Sequence, residues 1–339
     1  MRVFVTGGTG LIGRQLVRRL SERGDHPVIL SRRSDDVRRD PSMRSYQIVP
    51  GDPTTPGPWE SALDGCDAVV NLAGQNLFAK RWNAAIKQTI RDSRVYSTEN
   101  IVAAIGKARD RPKVLVQASA IGYYGPHGDE ELTEDSPSGS DFMAVVCREW
   151  EEASHGAEAH GARVAQIRTG VVLAKGQGAL GVMTPIFKLG PGTPVGNGGG
   201  LLKPAAGLQW MSWIHIDDIV GIFLMALDHP EARGPINGTA PNPVRNAEFS
   251  RTLSKVLWKP YAPWRIALPF GPPDVMLELL LGEVAQIVTK GQKVLPSKAL
   301  ALGYSFHYPR LADALRAIFT EPKESPKSAP TRVSSGARH

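Results

Sequence analysis

The chain has 339 residues, 42% of them hydrophobic and 35 of them glycine, enough for one large domain or two closely packed ones with many loops. The formal net charge of +7 favours anionic ligands weakly, but the positive residues are scattered rather than striped with aromatics, which argues against nucleic-acid binding. Cys66 and Cys147 make neither a disulfide framework nor a zinc spacing, and no window approaches the roughly 18 uninterrupted apolar residues of a membrane span.

These totals lead to the expectation of a cytoplasmic protein with a small-molecule substrate, no metal and no membrane contact. In chain order, the apolar run Val3 to Val5 meets glycines at positions 7, 10 and 13, followed by a helical pattern at Leu11, Ile12, Leu16, Val17 and Leu20. A strand turning through glycines into a helix brings backbone close to a diphosphate and aims unpaired N–H groups at it. The turn Gly7, Thr9, Gly10, Leu11, Ile12 and Gly13 is therefore the first cofactor-binding candidate.

Pro27 to Leu30 reads as a second buried strand, ending in Ser31-Arg32-Arg33. In a dinucleotide fold this strand end meets the adenosine ribose, where an acidic residue binds the free hydroxyl of NAD. A serine and two arginines suit a 2′-phosphate instead, and one charge-assisted hydrogen bond contributes about 1.5–3 kcal/mol. NADP is the expected cofactor. Solvated surface arginines are the plainer alternative.

Tyr46 to Val49 reads as a third strand, and Asp52 after it either faces the adenine or serves the turn. Ala68-Val-Val-Asn-Leu-Ala-Gly74 is a strand ending in small residues, so Leu72, Ala73 and Gly74 can touch the cofactor with backbone. Helical periods cover 93–105 and 142–154, with strands at 114–119 and 164–167. Regular alternation to about residue 173 predicts an α/β fold with a doubly wound parallel sheet.

From 176 to 206 the composition turns to glycine and proline and reads as one long loop, with 196–207 its most flexible part. Trp213-Ile-His-Ile-Asp-Asp218 reads as a short strand leading into a helix over 219–227, with Asp217 or Asp218 as its N-cap. Residues 249–257 and 275–289 have helical character without alternating strands. The expected division is a core over 1–173, a smaller α+β lobe over 174–320 with 208–240 returning to the core, and a disordered basic tail over 321–339.

Across its first 230 residues the motif series resembles the extended short-chain dehydrogenases/reductases, and across roughly residues 1–320 it resembles their atypical branch called the epimerase family. Gly7-Gly-Thr-Gly-Leu-Ile-Gly13, Asn71-Leu-Ala-Gly74 and Trp213-Ile-His-Ile-Asp-Asp218 carry the broader likeness. Arg81-Trp82, Asp92-Ser-Arg-Val95, Ser119-Ala-Ile-Gly-Tyr-Tyr-Gly125, Val146-Cys-Arg-Glu-Trp-Glu151 and Arg168-Thr-Gly-Val-Val-Leu173 carry the narrower one. Ala240 to Asn246 and Gly291 to Pro296 match the C-terminal domain of unknown function that accompanies this branch. The resemblance implies a Rossmann-type sheet binding NADP, with a C-terminal lobe over the cleft. A homodimer is common in the superfamily, but the sequence leaves the oligomeric state open.

The superfamily's reductase mechanism uses a tyrosine acid/base and a lysine four residues later. Aligned on Glu151, those positions hold Met143 and Cys147, and neither residue can do the work. The serine position holds Ala120, with Ser119 beside it, and Arg94, counted with the cofactor-binding candidates, replaces the central-helix asparagine. Tyr123 is then the leading acid/base candidate, with Arg94 as a nearby cation that would favour its ionised form; alternatively, Tyr123 and Tyr124 simply pack the loop. Ser119 either hydrogen-bonds a substrate carbonyl or terminates its strand. Two functions follow: an NADP-dependent oxidoreductase or epimerase on a small carbonyl or hydroxyl compound, or an NADP-binding scaffold acting through protein contacts.

Overall fold

Alternate residues of each apolar run face opposite ways, and this decides the layering. Val3, Val5, Ile29, Val70, Val116 and Ala165 belong to one buried cluster. Phe4, Val28, Leu30, Val69, Leu115 and Val164 belong to a second. A sheet apolar on both faces must be covered on both, as parallel sheets are.

The computed structural model describes residues 1–189, 192–194, 207–261 and 282–320. The glycine-rich 195–206 stretch, the tail 321–339 and residues 275–281 of an expected helix lie outside the described residues. The central sheet contains β1 (Arg2–Thr6), β2 (His26–Ser31), β3 (Gln47–Pro50), β4 (Ala68–Asn71) and β5 (Val114–Ala120). After a two-residue β6 (Glu131–Leu132) outside the sheet, β7 (Arg163–Thr169) rejoins it. Counting β8 (Val171–Ala174), β9 (Trp210–Met211) and β10 (Trp213–His215) on the way, β11 (Gly234–Gly238) is the seventh strand. The order is β11-β7-β5-β4-β1-β2-β3, and every pairing is parallel. The chain first winds outward from β1 through β2 to β3, then crosses back to β4 on β1's other side. That reversal opens a crevice at the carboxyl ends of β1 and β4, where open α/β sheets bind ligands.

Of the helices, α1 (Leu11–Glu22) buries Leu16, Val17 and Leu20 on the first face, while α2 (Ser34–Arg39) is a single short segment. α3 (Ala84–Lys107) covers the second face with Ile101, Ala104 and Ile105, and α4 (Phe142–His155) packs beside it. The helix expected from position 93 starts nine residues earlier. Asn83 caps it by accepting from the Ile86 N–H at 2.9 Å, a terminus signal stronger than the apolar period of its polar first turns.

Two further expectations are corrected. The stretch expected as one loop contains α5 (Gly178–Leu189), whose Leu180, Thr184 and Phe187 lie on one buried face. Gly181 and Pro185 disguise its helical spacing. The helix α6 (Ile216–Asp228) is capped not by Asp217 or Asp218 but by His215, whose Nδ1 accepts from the Asp217 N–H at 3.1 Å. Asp218 is fully buried and instead accepts from the Tyr304 hydroxyl and the His307 and Tyr308 N–H groups. A carboxylate with that many donors anchors the C-terminal segment onto α6.

Beyond the sheet, β12 (Val244–Arg245) pairs with β9, and β13 (Lys293–Val294) pairs with β6. A separate cluster holds Leu173, Phe187, Trp213, Phe249 and Leu315, joining α5, α7 (Asn246–Val256) and the helix Leu311–Thr320. Among the described residues, no helix is long and apolar enough to cross a membrane.

Candidate functional site

Gly7 takes φ +64°, and a Cβ there would lie 2.6 Å from the carbonyl oxygen of Leu72. A Cβ on Gly13 would collide with the carbonyl oxygen of Gly7. Only glycine lets the turn fold this tightly between β1, β4 and α1. Helix α1 has Gly10 at its N-cap, no side chain capping it and no acidic residue in its first turn. Its leading N–H groups and positive dipole end therefore suit the diphosphate of a dinucleotide, and the residues present fit that group. Thr9, Leu11 and Ile12 stand around the same opening, each half-buried. Arg14 fixes the turn from outside, donating from Nε to the Thr9 carbonyl at 3.0 Å and from Nη1 to Asp40 at 2.7 Å. The hydroxyl of Ser42 first, and Arg14 next, hold the Asp40 carboxyl at about 2, below the ordinary aspartate value.

Ser31, Arg32, Arg33 and Asp52 come together at the neighbouring ends of β2 and β3. Ser31 Oγ accepts from the Arg33 N–H at 3.1 Å, and Arg32 stands 3.9 Å from Asp52 with its head two-thirds exposed. Asp52 also closes its own turn by accepting from the Thr54 N–H and hydroxyl. The aspartate therefore serves the turn and holds Arg32 near the strand end.

Beneath the crevice runs a buried polar chain. Thr6 Oγ1 donates to Asn71 Oδ1 at 2.5 Å, and Asn71 Nδ2 donates to Thr98 and Gln117 at 3.0 and 2.9 Å. Trp150 Nε1 joins at Thr98, 3.1 Å away. The Ala73 N–H donates to both Thr6 Oγ1 and Asn71 Oδ1, each at 3.2 Å, so this chain sets the Leu72, Ala73 and Gly74 backbone. Satisfied buried networks of this kind rigidify their surroundings.

The strand β5 carries Ser119 next to its last residue and runs into a 3₁₀ turn, Ile121–Tyr124. Gly122 of that turn faces Met143 and Cys147 on α4; a Cβ there would meet them at 3.4 and 3.7 Å. The thioether and thiol thus stand against the turn. Cys147 is buried, and burial pushes its thiol up to about 12, so it is neither thiolate nor cation.

The cation beside Tyr123 is Arg168 of β7, not Arg94: its guanidinium carbon lies 3.4 Å from the Tyr123 ring centroid. Arg168 is held bidentately by Glu151 of α4 at 2.9 and 2.8 Å. Burial alone would pull its pKa down, but the bonds to Glu151 more than offset this and hold it above the ordinary arginine value. The same guanidinium donates to the Tyr124 hydroxyl at 3.0 Å, and Tyr124 donates to Asn237 at 2.7 Å. Burial pushes Tyr124 up to about 12, so it is a locked packing group. The Tyr123 hydroxyl makes no hydrogen bond to any described residue, and its ring is half-buried. Ser119 is buried and gives its proton to Glu151 Oε1 at 2.6 Å. To donate to a substrate carbonyl it would have to surrender that bond.

Arg94 is buried on α3 and bonds two backbone carbonyls, of Ile90 at 2.9 Å and Gln75 at 3.1 Å. Trp82 packs edge-on against Phe142, ring centroids 5.3 Å apart, and anchors the chain ahead of α3. A hollow of about 330 Å³, lined by Tyr124, His127, Ser138 and Asp141 among others, lies beyond the tyrosine turn. The Arg168–Glu151 pair escaped the sequence reading although both residues stand in its motifs. A charged residue directly after the buried run 164–167 and still within the strand, as at Arg168, was the available signal.

Residues 3–237 match the model of the NAD dependent epimerase/dehydratase family, and residues 272–318 match a domain of unknown function, DUF1731. An epimerase family protein of Arabidopsis thaliana, the chloroplastic SDR39U1 homolog, is 44% identical over 94% of this chain and 86% of its own length. The human epimerase family protein SDR39U1 is 36% identical over 94% of this chain and 99% of its own. A crystal structure of the human protein with NADPH superposes with a TM-score of 0.78 at 34% identity, covering 94% of this chain and 99% of that one.

Proposed function

The chain belongs to the NAD-dependent epimerase/dehydratase family, and on that premise we propose that it is an NADP-dependent oxidoreductase or epimerase acting on a small carbonyl or hydroxyl compound. One observation carries the reading: a turn in which only glycine fits, leading into an uncapped helix N-terminus at the point where the strand order reverses. The NADPH bound by the human relative supports the same cofactor here.

Backbone of Gly7, Thr9, Gly10, Leu11, Ile12 and Gly13 would hold the diphosphate. Ser31, Arg32 and Arg33 would take the 2′-phosphate, with Asp52 positioning Arg32. The Leu72–Gly74 backbone would border the middle of the cofactor. Bound there, the nicotinamide supplies or accepts hydride.

The chain's own contribution is the proton. Tyr123 carries the phenol beside the cleft that no described residue occupies by hydrogen bonding. Arg168 lies over its ring, and Glu151 fixes Arg168 from α4. Tyr123 thus stands as acid/base at the end of β5, and Ser119 supports it from below through Glu151. A general acid of this kind contributes about 10²–10⁴-fold in rate.

Met143 and Cys147 facing the same turn favour a second reading, an NADP-binding scaffold without turnover. Incubation with deuterated NADPH and a cell extract separates the two. Deuterium in a metabolite, with transfer lost in Tyr123→Phe, is expected for the enzyme. Binding of NADPH without any transfer would point to the scaffold, and full transfer by Tyr123→Phe would remove that residue from the role.

A further inference from the structure

Three arginines are buried among the described residues, and their partners differ in kind. Arg168 has the Glu151 carboxylate. Arg163 donates to the carbonyls of Ala226 and Leu227 at the C-terminal end of α6, where the helix dipole is negative, and to Ala232. Arg94 has neither. Although only 8% exposed, it bonds the carbonyls of Ile90, in its own helix four residues back, and Gln75. The Trp150 ring lies 5.1 Å from it, and the nearby Cys147 thiol is buried and neutral. Holding an ion in such a place is costly unless a counter-charge arrives.

A guanidinium has five N–H donors, and these two bonds leave Nε–H and an N–H on each terminal nitrogen. That fork is the geometry that grips a carboxylate or phosphate with two parallel bonds. The way in is also built. Gly74 is exposed at the end of β4, and a Cβ there would stand 3.2 Å from Arg94 Cζ and 3.5 Å from Nε. The guanidinium lies one atomic layer beneath the crevice, under a residue with no side chain to cover it.

We propose that Arg94 is the counter-charge for an oxyanion of the ligand that enters between the end of β4 and α4. The inference rests on the reading of this crevice as the cofactor and substrate site, and it adds that the ligand is anionic there. The oxyanion belongs either to the substrate, as a carboxylate, or to a phosphate of the cofactor.

Bromide is the probe, located by anomalous diffraction in soaked crystals of the full chain, with and without NADPH. An ordered bromide against Arg94 is expected in cofactor-free crystals and absent from Arg94→Met. Gly74→Val, which keeps the charge but closes the approach, is expected to lose it too. Persistence with NADPH bound assigns the oxyanion to the substrate, and displacement assigns it to the cofactor. Ordered bromides elsewhere with none on Arg94, or a bromide retained in both variants, would overturn the proposal. Because NADPH affinity is measured separately and no turnover is read, failure here leaves the cofactor assignment standing.

Discussion

Arg32 and Arg33 are ordinary exposed side chains, and only their place after β2 gives them meaning. Arg32→Ala should weaken NADPH binding by about ten-fold or more, the weight of one charge-assisted bond, and leave NADH binding unchanged; calorimetry with both cofactors checks this. Asp40 gives a pH signature. Its folded pKa of about 2 lies below the ordinary aspartate value, so its stabilising contribution is present above about pH 4 and is lost as pH falls toward 2. The difference in Tm between wild type and Asp40→Asn should therefore be constant near neutrality and vanish between about pH 4 and pH 2. A difference independent of pH would show that the carboxylate charge is not what matters. At this scale the sequence was informative about glycines and strand ends, because those obey local geometry. It misassigned which cation meets the Tyr123 ring, naming Arg94 where the structure has Arg168. Arg94 and Arg168 are 74 positions apart, both stand in motifs, and only the parallel pairing of β7 beside β5, with Arg168 in register with Ser119, brings the second against the Tyr123 ring.

The elements are joined by a few decisive contacts. Glu151 ties α4 to β7 through Arg168, both side chains at most 8% exposed. Glu151→Ala should cost about 3–5 kcal/mol by leaving a buried cation unpaired, and adding Arg168→Met should recover most of it. Chemical denaturation of the two variants measures the difference, and equal stability of single and double variants would contradict the pairing. Gly13→Ala drives a methyl into the Gly7 carbonyl and should abolish NADPH binding while circular dichroism stays native. Strands and the first helix were legible because their apolar periods are clean. The helix α5 was not, since Gly181 and Pro185 mimic loop composition while tertiary packing of Leu180 and Phe187 decides the outcome. The cap of α6 was misassigned for a related reason. Asp218 looks like a cap but is consumed by the distant Tyr304–Tyr308 segment.

For the whole molecule, alternation along the chain foretold a parallel sheet, and the structure has one of seven strands. The seventh, Gly234–Gly238, was not foreseen, because Gly-Pro-Ile-Asn-Gly has almost no strand character; it is held by its register against β7. Its Asn237 receives the Tyr124 hydroxyl, so this unpromising strand completes the floor of the site. The crevice at the β1/β4 reversal then combines an anion-seeking helix end, arginines past β2 and a phenol after β5. Calorimetric titration of the wild-type chain with NADPH and with NADH, in one buffer, tests this combination most directly. NADPH binding at least about ten-fold tighter than NADH is predicted from the two arginines, and equal affinity, or no binding of either, would contradict it.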